Sequence, residues 1–285
     1  MTASRRNKEI QVKTLEVLWG SEPGRSARGP KRGLSVEKIA AAAIKIADEK
    51  GLDGLSMQHV AGHLGYTAMS LYRYVPGKEQ LVDIVYDRAL GPPPGREGSE
   101  ETADATAPAI APAGEGERDW RSGVYRWVRA MLGVYHDHPW LLDITTSAPP
   151  LGPNQLAWFD ALLQEVSDIG LGDDEMVHLV LFVTGAVRDL ARTSSAIAQS
   201  PDRTGVSVEQ MAEGYSHALK DLADGTRFPA LSRVVAAGVF EPSEVPYNDI
   251  VPSLEFGLRR LLDGVESYVR TRRTARQAEP GTTAV

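Results

Sequence analysis

Residues 65–81 read G-Y-T-A-M-S-L-Y-R-Y-V-P-G-K-E-Q-L, with three tyrosines, an arginine and a serine crowded together and then stopped by Pro76-Gly77. On a helical wheel at about 100° per residue, Ala68, Leu71 and Val75 cluster on one side. Met69, Ser70 and Arg73 lie opposite, with Tyr72 and Tyr74 at the margins. Three apolar residues account for the inward face of a short helix over 67–75. The polar and aromatic outward face has no core role, so the segment reads as a helix that touches something outside the chain.

Its neighbours give it a setting. Ser56 is placed to cap a helix through Leu64, with Met57, Val60, Ala61 and Leu64 facing inward. Gly65 breaks that helix, and about three residues separate it from the next, the spacing of a helix-turn-helix. Upstream, Ser35 caps an alanine-rich run over 36–50. Val36, Ile39, Ala40, Ala43, Ile46 and Ala47 share one stripe there, and Gly51 ends it. Downstream, residues 78–90 form a further helix with Leu81, Ile84, Val85 and Ala89 apolar.

In a DNA-binding helix-turn-helix, the second helix enters the major groove and its N-terminal residues meet base edges. Here those are Thr67, Ala68 and Met69. Thr67 can hydrogen-bond, and all three offer apolar contact to a thymine methyl. The hydroxyls of Ser70, Tyr72 and Tyr74 suit phosphate oxygens. Lys78 opens the following helix, where free N–H groups and the helix dipole also favour a phosphate. The charge distribution agrees. The chain is net −7, yet residues 1–90 carry 14 Lys and Arg against 10 Asp and Glu, a local +4, and the remainder is −11. A basic front and an acidic back place the polyanion at the front.

The pattern G-L-x-x-L-S-M-x-x-V-A-x-x-L-G-Y-T-A-M-S-L-Y-R-Y-V-P-G-K-E-Q-L, from Gly51 to Leu81, resembles the DNA-binding domain of the tetracycline-repressor (TetR) family of transcriptional regulators. The resemblance runs over residues 34–90, and its most diagnostic part is residues 71–81. It implies DNA contacts at Thr67, Ala68, Met69, Ser70, Tyr72, Tyr74 and Lys78, and Arg73 on the same outward face is a further candidate. Gln58 matches a position that is often a base-reading arginine in relatives, and a glutamine can instead pair with adenine.

Residues 1–33 read as a flexible basic extension. Within it, 10–19 are apolar enough for a short helix or strand, and Arg25, Arg28, Lys31 and Arg32 sit among Gly, Ser and Pro. That basic stretch either tracks the minor groove or backbone or is a solubilising tail. Residues 91–116 are a Pro/Gly/Ala-rich linker with little to bury, and 276–285 read as a disordered tail. Amphipathic runs over 119–136, 154–169, 173–198, 207–223 and 254–269 make the whole chain all-α.

By the same resemblance, residues 117–275 are an effector-binding and dimerisation domain. The side chains expected around a small-molecule effector are Trp127, Trp140, Asn154, Trp158, His178 and Phe182, each with packing or surface as its alternative. Val180 and Val187 in one long helix, with Leu254, Leu258, Leu261, Leu262 and Val265 in the last, form stripes broad enough to pair across a two-fold axis. A homodimer would present two heads to a near-palindromic double-stranded operator.

His136 and His138 flank Asp137 without a third ligand, and Thr145, Thr146 and Ser147 have no nearby base, so neither a metal, a cofactor nor catalysis is expected. The chain contains no cysteine, its basic N-terminus lacks an apolar signal core, and no run approaches the ~18 apolar residues of a membrane span. A cytoplasmic, ligand-responsive repressor is the expectation. The alternative is a helical small-molecule-binding protein or enzyme carrying a vestigial head.

Overall fold

The computed structural model describes residues 14–20, 33–95, 120–144, 151–243 and 245–278. Among the described residues all regular structure is helical. The basic stretch 25–32, residues 96–116, Thr145, Thr146 and Ser147, and residues 279–285 lie outside them.

Helix α1 (Val36–Lys50) begins where Ser35 Oγ accepts a hydrogen bond from the Lys38 amide at 3.3 Å. Its buried stripe, Ile39, Ala40, Ala42, Ala43, Ile46 and Ala47, is mostly alanine, which lets neighbours approach closely. A 3₁₀ turn at Leu52–Gly54 leads to α2 (Met57–Leu64), capped by Ser56 Oγ on the His59 amide at 3.1 Å. Gly65 then adopts φ 74° and ψ 27°, and the Tyr66 amide reaches back to the Ala61 carbonyl at 2.9 Å. Only glycine takes this left-handed conformation without cost from a Cβ.

Helix α3 is shorter than the expected 67–75: it spans Ala68–Leu71, followed by a tight turn at 72–74. The Tyr74 and Val75 amides both bond the Leu71 carbonyl, at 2.8 and 2.9 Å. Pro76 disfavours helical geometry at the residue before it, so the last turn tightens. The inward face survives the change, because Leu71 and Val75 are both fully buried. Helix α4 (Lys78–Leu90) follows.

Beyond it come α5 (Trp120–Asp137), a 3₁₀ turn at Pro139–Asp143, α6 (Pro153–Val166), α7 (Asp173–Ala198), α8 (Ser200–Thr204), α9 (Val208–Leu222), α10 (Pro229–Ala236) and α11 (Val251–Ala278). The last helix runs three residues into the stretch expected as a tail. Two compact units result: the residues up to Val183 together with those from Glu266, and Thr184–Val265.

In the first unit, Trp127 of α5 meets Trp158 of α6 edge to face, with centroids 5.6 Å apart, and its Nε1–H donates to the Trp158 carbonyl at 2.9 Å. The start of α7 is tied to the end of α11 through Glu175. Its carboxylate accepts from the Gly172 amide (2.7 Å), the Tyr268 hydroxyl (2.6 Å) and Arg272 Nη1 (2.7 Å). Arg121 of α5 pairs with Glu266 of α11. Residues 14–19, within the stretch expected as a short helix or strand, are helical. Thr14 and Leu18, four residues apart on one face, are both buried, and Trp19 Nε1–H donates to the Leu151 carbonyl at 2.9 Å.

In the second unit, Ser207 and Gln210 cap α9 reciprocally, at 3.2 and 3.1 Å. Tyr215 packs against Phe240 and Tyr247, at 6.0 and 6.3 Å between centroids.

Candidate nucleic-acid interface

The head presents its outward residues from a closed core. Val60, Ala61, Leu71 and Val75 hold α2 and α3 together, and none of them is more than 1% exposed. None of the nine residues expected to meet DNA is buried. Gln58, Thr67, Met69, Tyr72, Arg73 and Lys78 are exposed or half-exposed, and Ala68, Ser70 and Tyr74 are partly covered. Met69, in α3, is 74% exposed.

Thr67 stands at the N-cap of α3, yet its hydroxyl does not cap the helix. Instead Thr67 Oγ1 and Ser70 Oγ share a hydrogen bond at 3.0 Å. Lys78 is the first residue of α4, where Gly77 has no side chain to cap the helix. A cation beside a helix N-terminus is a setting that favours a phosphate. Tyr66, in the turn before α3, is also exposed.

Two carboxylates fasten the head to the helices that follow. Asp48 Oδ1, near the end of α1, accepts from His138 Nδ1 and Trp140 Nε1, both at 2.7 Å. Asp87, fully buried on α4, accepts from the amides of Asn154 and Gln155 at 2.9 and 3.1 Å. Asn154 Nδ2 donates in turn to the Asp87 carbonyl at 2.9 Å. Burial pushes the Asp87 carboxyl above its usual range. The Gln155 amide, Arg88 and Asn154 act in the opposite direction. Trp158 Nε1 completes the seam by donating to the Gly91 carbonyl at 3.0 Å.

The same bonds engage four of the residues expected around an effector. Trp127, Trp140 and Trp158 are buried, and each indole N–H is already bonded to a carbonyl or to Asp48. A buried indole needs such a partner. Asn154 is engaged with Asp87, while His178 and Phe182 are exposed on α7. Four of the six therefore hold helices together, and the other two face outward.

The residues expected at a dimer face are largely covered within the single chain. Val180, Val187, Leu254, Leu258 and Leu262 are buried within the single chain, and Leu261 and Val265 are partly covered. The broad stripe serves the chain's own core. The large apolar side chains left exposed on the same helices are Val177, Leu181 and Phe182 of α7, and Phe256 and Tyr268 of α11.

Among the described residues no group of three His, Asp or Glu is placed to hold a metal ion, and no helix is long and apolar enough to cross a membrane.

Comparison with known proteins identifies the arrangement. Residues 33–85 match the tetR family of bacterial regulatory proteins, and residues 111–269 match the tetracyclin repressor-like C-terminal domain. The HTH-type transcriptional repressor DrrR1 of Streptomyces coeruleorubidus is 34% identical over 262 residues, covering 92% of this chain and 88% of that protein. An HTH-type transcriptional regulator of Saccharopolyspora erythraea is 26% identical over 178 residues, covering 58% and 68% of the two chains. The TetR family protein ActR of Streptomyces coelicolor, solved in complex with actinorhodin, shares the fold. Its TM-score is 0.58 at 24% identity, over 83% of this chain and 99% of that one. The two family matches and the repressor relative place this helix-turn-helix chain among DNA-binding transcriptional regulators. The chain belongs to the TetR family.

Proposed function

We propose that the chain is a cytoplasmic, ligand-responsive repressor that binds a near-palindromic operator as a homodimer and is released by a small molecule. The observation that carries this reading is the head. Its inward face is closed by Val60, Ala61, Leu71 and Val75, while nine residues suited to bases and phosphates stay outside that core. DrrR1 is named a repressor, and ActR was solved in complex with actinorhodin and with (S)-DNPA. Both support repression relieved by a small molecule.

The dimer in this reading forms through the exposed apolar side chains of α7 and α11, Leu181 and Phe182 among them. Without effector it holds two heads at the spacing of two half-sites. A ligand that binds better to a state with the heads displaced lowers operator affinity by its differential affinity for the two states. The Asp48 and Asp87 seams are the route by which a shift in α6 or in the 138–140 turn reaches the head. No part of this scheme requires catalysis.

The test is a gel shift with full-length protein on the DNA upstream of its own gene, at about 100 mM salt, where specific complexes persist. A retarded band that footprinting narrows to a single protected near-palindrome supports the reading. Failure to retain any fragment would favour a helical binding protein with an idle head.

A further inference from the structure

The tip of α3 is chemically uneven. Thr67 and Ser70 direct their hydroxyls at each other across 3.0 Å, and Ala68 between them is partly covered. Met69 stands out, its side chain 74% exposed, with Tyr72 and Arg73 exposed one turn on. On the reading that this head binds duplex DNA, the most exposed large apolar side chain of the head stands at the groove-facing start of α3. We propose that Met69 is a specificity-determining residue that reads the C5-methyl group of a pyrimidine, thymine in ordinary DNA, once in each operator half-site.

The argument is one of complementarity. Of the groups on the major-groove edges, only the thymine methyl is apolar; the others are donors or acceptors. A methionine against N7, O6, O4 or an exocyclic amine would strip water from that group and return no hydrogen bond. Against a methyl it loses nothing. Its unbranched, polarisable side chain can also follow the groove wall closely. The Thr67–Ser70 bond sharpens the selection, because it engages one of the two hydroxyl hydrogens and leaves only the other to donate to a base edge.

The experiment uses full-length protein and works without a known operator. Duplexes are selected from a randomised double-stranded library. Each thymine of the winning sequence is then replaced in turn by deoxyuridine, which removes only the methyl. Affinities are measured for the wild type and for Met69→Ala, a substitution at an exposed position, with circular dichroism confirming the fold. The expected result is one thymine per half-site where deoxyuridine weakens wild-type binding about fourfold, the effect of one buried methyl-sized group. Met69→Ala should show no further loss at that position. With cytosine placed there, 5-methylation should recover about the same factor for the wild type and nothing for Met69→Ala. A selected duplex with no deoxyuridine-sensitive position overturns the proposal and leaves DNA binding intact. So does sensitivity that persists undiminished in Met69→Ala. If no duplex is selected at all, the DNA-binding reading falls and the proposal falls with it.

Discussion

Asp87 Oδ1 occupies the space in which a side chain on Gly152 would begin: a Cβ built on that glycine would lie 2.1 Å from it. Gly152 is the N-cap of α6 and has no side chain to offer the helix. The carboxylate of α4 takes that place and accepts from the Asn154 and Gln155 amides. A helix of the C-terminal body is thus capped by the last helix of the head.

Gly152→Ala cannot be accommodated without displacing the carboxylate, and should cost about 1–3 kcal/mol in urea unfolding, the range for overpacked sites. Asp87→Ala removes the cap and should cost roughly 1–2 kcal/mol. The double variant should lose less than the sum, because deleting Asp87 makes room for the new methyl. Strict additivity would contradict the arrangement.

The head should respond to substitution in two distinguishable ways. Lys78→Ala should weaken binding to all sequences alike and lower the slope of log affinity against log salt by about one per head. Tyr72→Phe and Tyr74→Phe remove neutral donors to a charged phosphate, at about 1.5–3 kcal/mol each, and should leave the slope unchanged. Gln58→Ala should cost about 1–3 kcal/mol on the selected operator and relax a preference for adenine at one position. Affinity titrations at several salt concentrations separate these outcomes.

Much of this head is legible in the sequence because its instructions are local. Ser35, Ser56 and Gly65 are cap and stop signals that act within a few residues, and each does so where expected. The error in α3 has a local cause too, since Pro76 acts on the turn before it, and a helical wheel counts that turn as helix. In the body the signals run out. An apolar stripe marks Leu258 and Leu262 as facing something, but cannot say whether that is the same chain or another copy. They face the chain's own core. The tryptophans are ambiguous in the same way. An indole suited to lining a pocket is equally suited to bonding a stray carbonyl, and Trp127 and Trp158 do that.

The proposed dimer face carries its own test. Leu262 is fully buried, so Leu262→Asp should unfold the chain and report nothing about assembly. Phe182→Glu and Phe256→Glu alter side chains that are 63% and 71% exposed. They should leave the helical spectrum unchanged while sedimentation velocity shifts from dimer to monomer. A dimer that survives both substitutions would remove these helices from the interface.

The two best-defined carboxylates should leave opposite marks on stability as pH falls. Glu175 is held below its usual value of 4.5, first by the Gly172 amide and then by the Tyr268 hydroxyl. It therefore contributes stability above pH 4.5 that is lost as pH falls through its lowered value. Asp87 is raised above 3.8, chiefly by burial, so the folded chain binds its proton more readily than the unfolded chain. The wild type gains stability as pH falls through that raised value towards 3.8. In thermal melts across this range, Glu175→Gln should decline less than the wild type below pH 4.5. Asp87→Asn should decline more than the wild type over the window above 3.8. Parallel curves for all three proteins would refute both assignments.

Asp48 and Asp87 both lie within residues 34–90, whereas His138, Trp140, Asn154 and Gln155 lie beyond it. Anyone grafting a foreign head onto this body to build a hybrid sensor would remove the acceptors and leave the donors behind. A compatible graft needs carboxylates at both places. A head lacking them strands an indole and two backbone amides at the joint, and the hybrid loses its cap before it ever meets an operator.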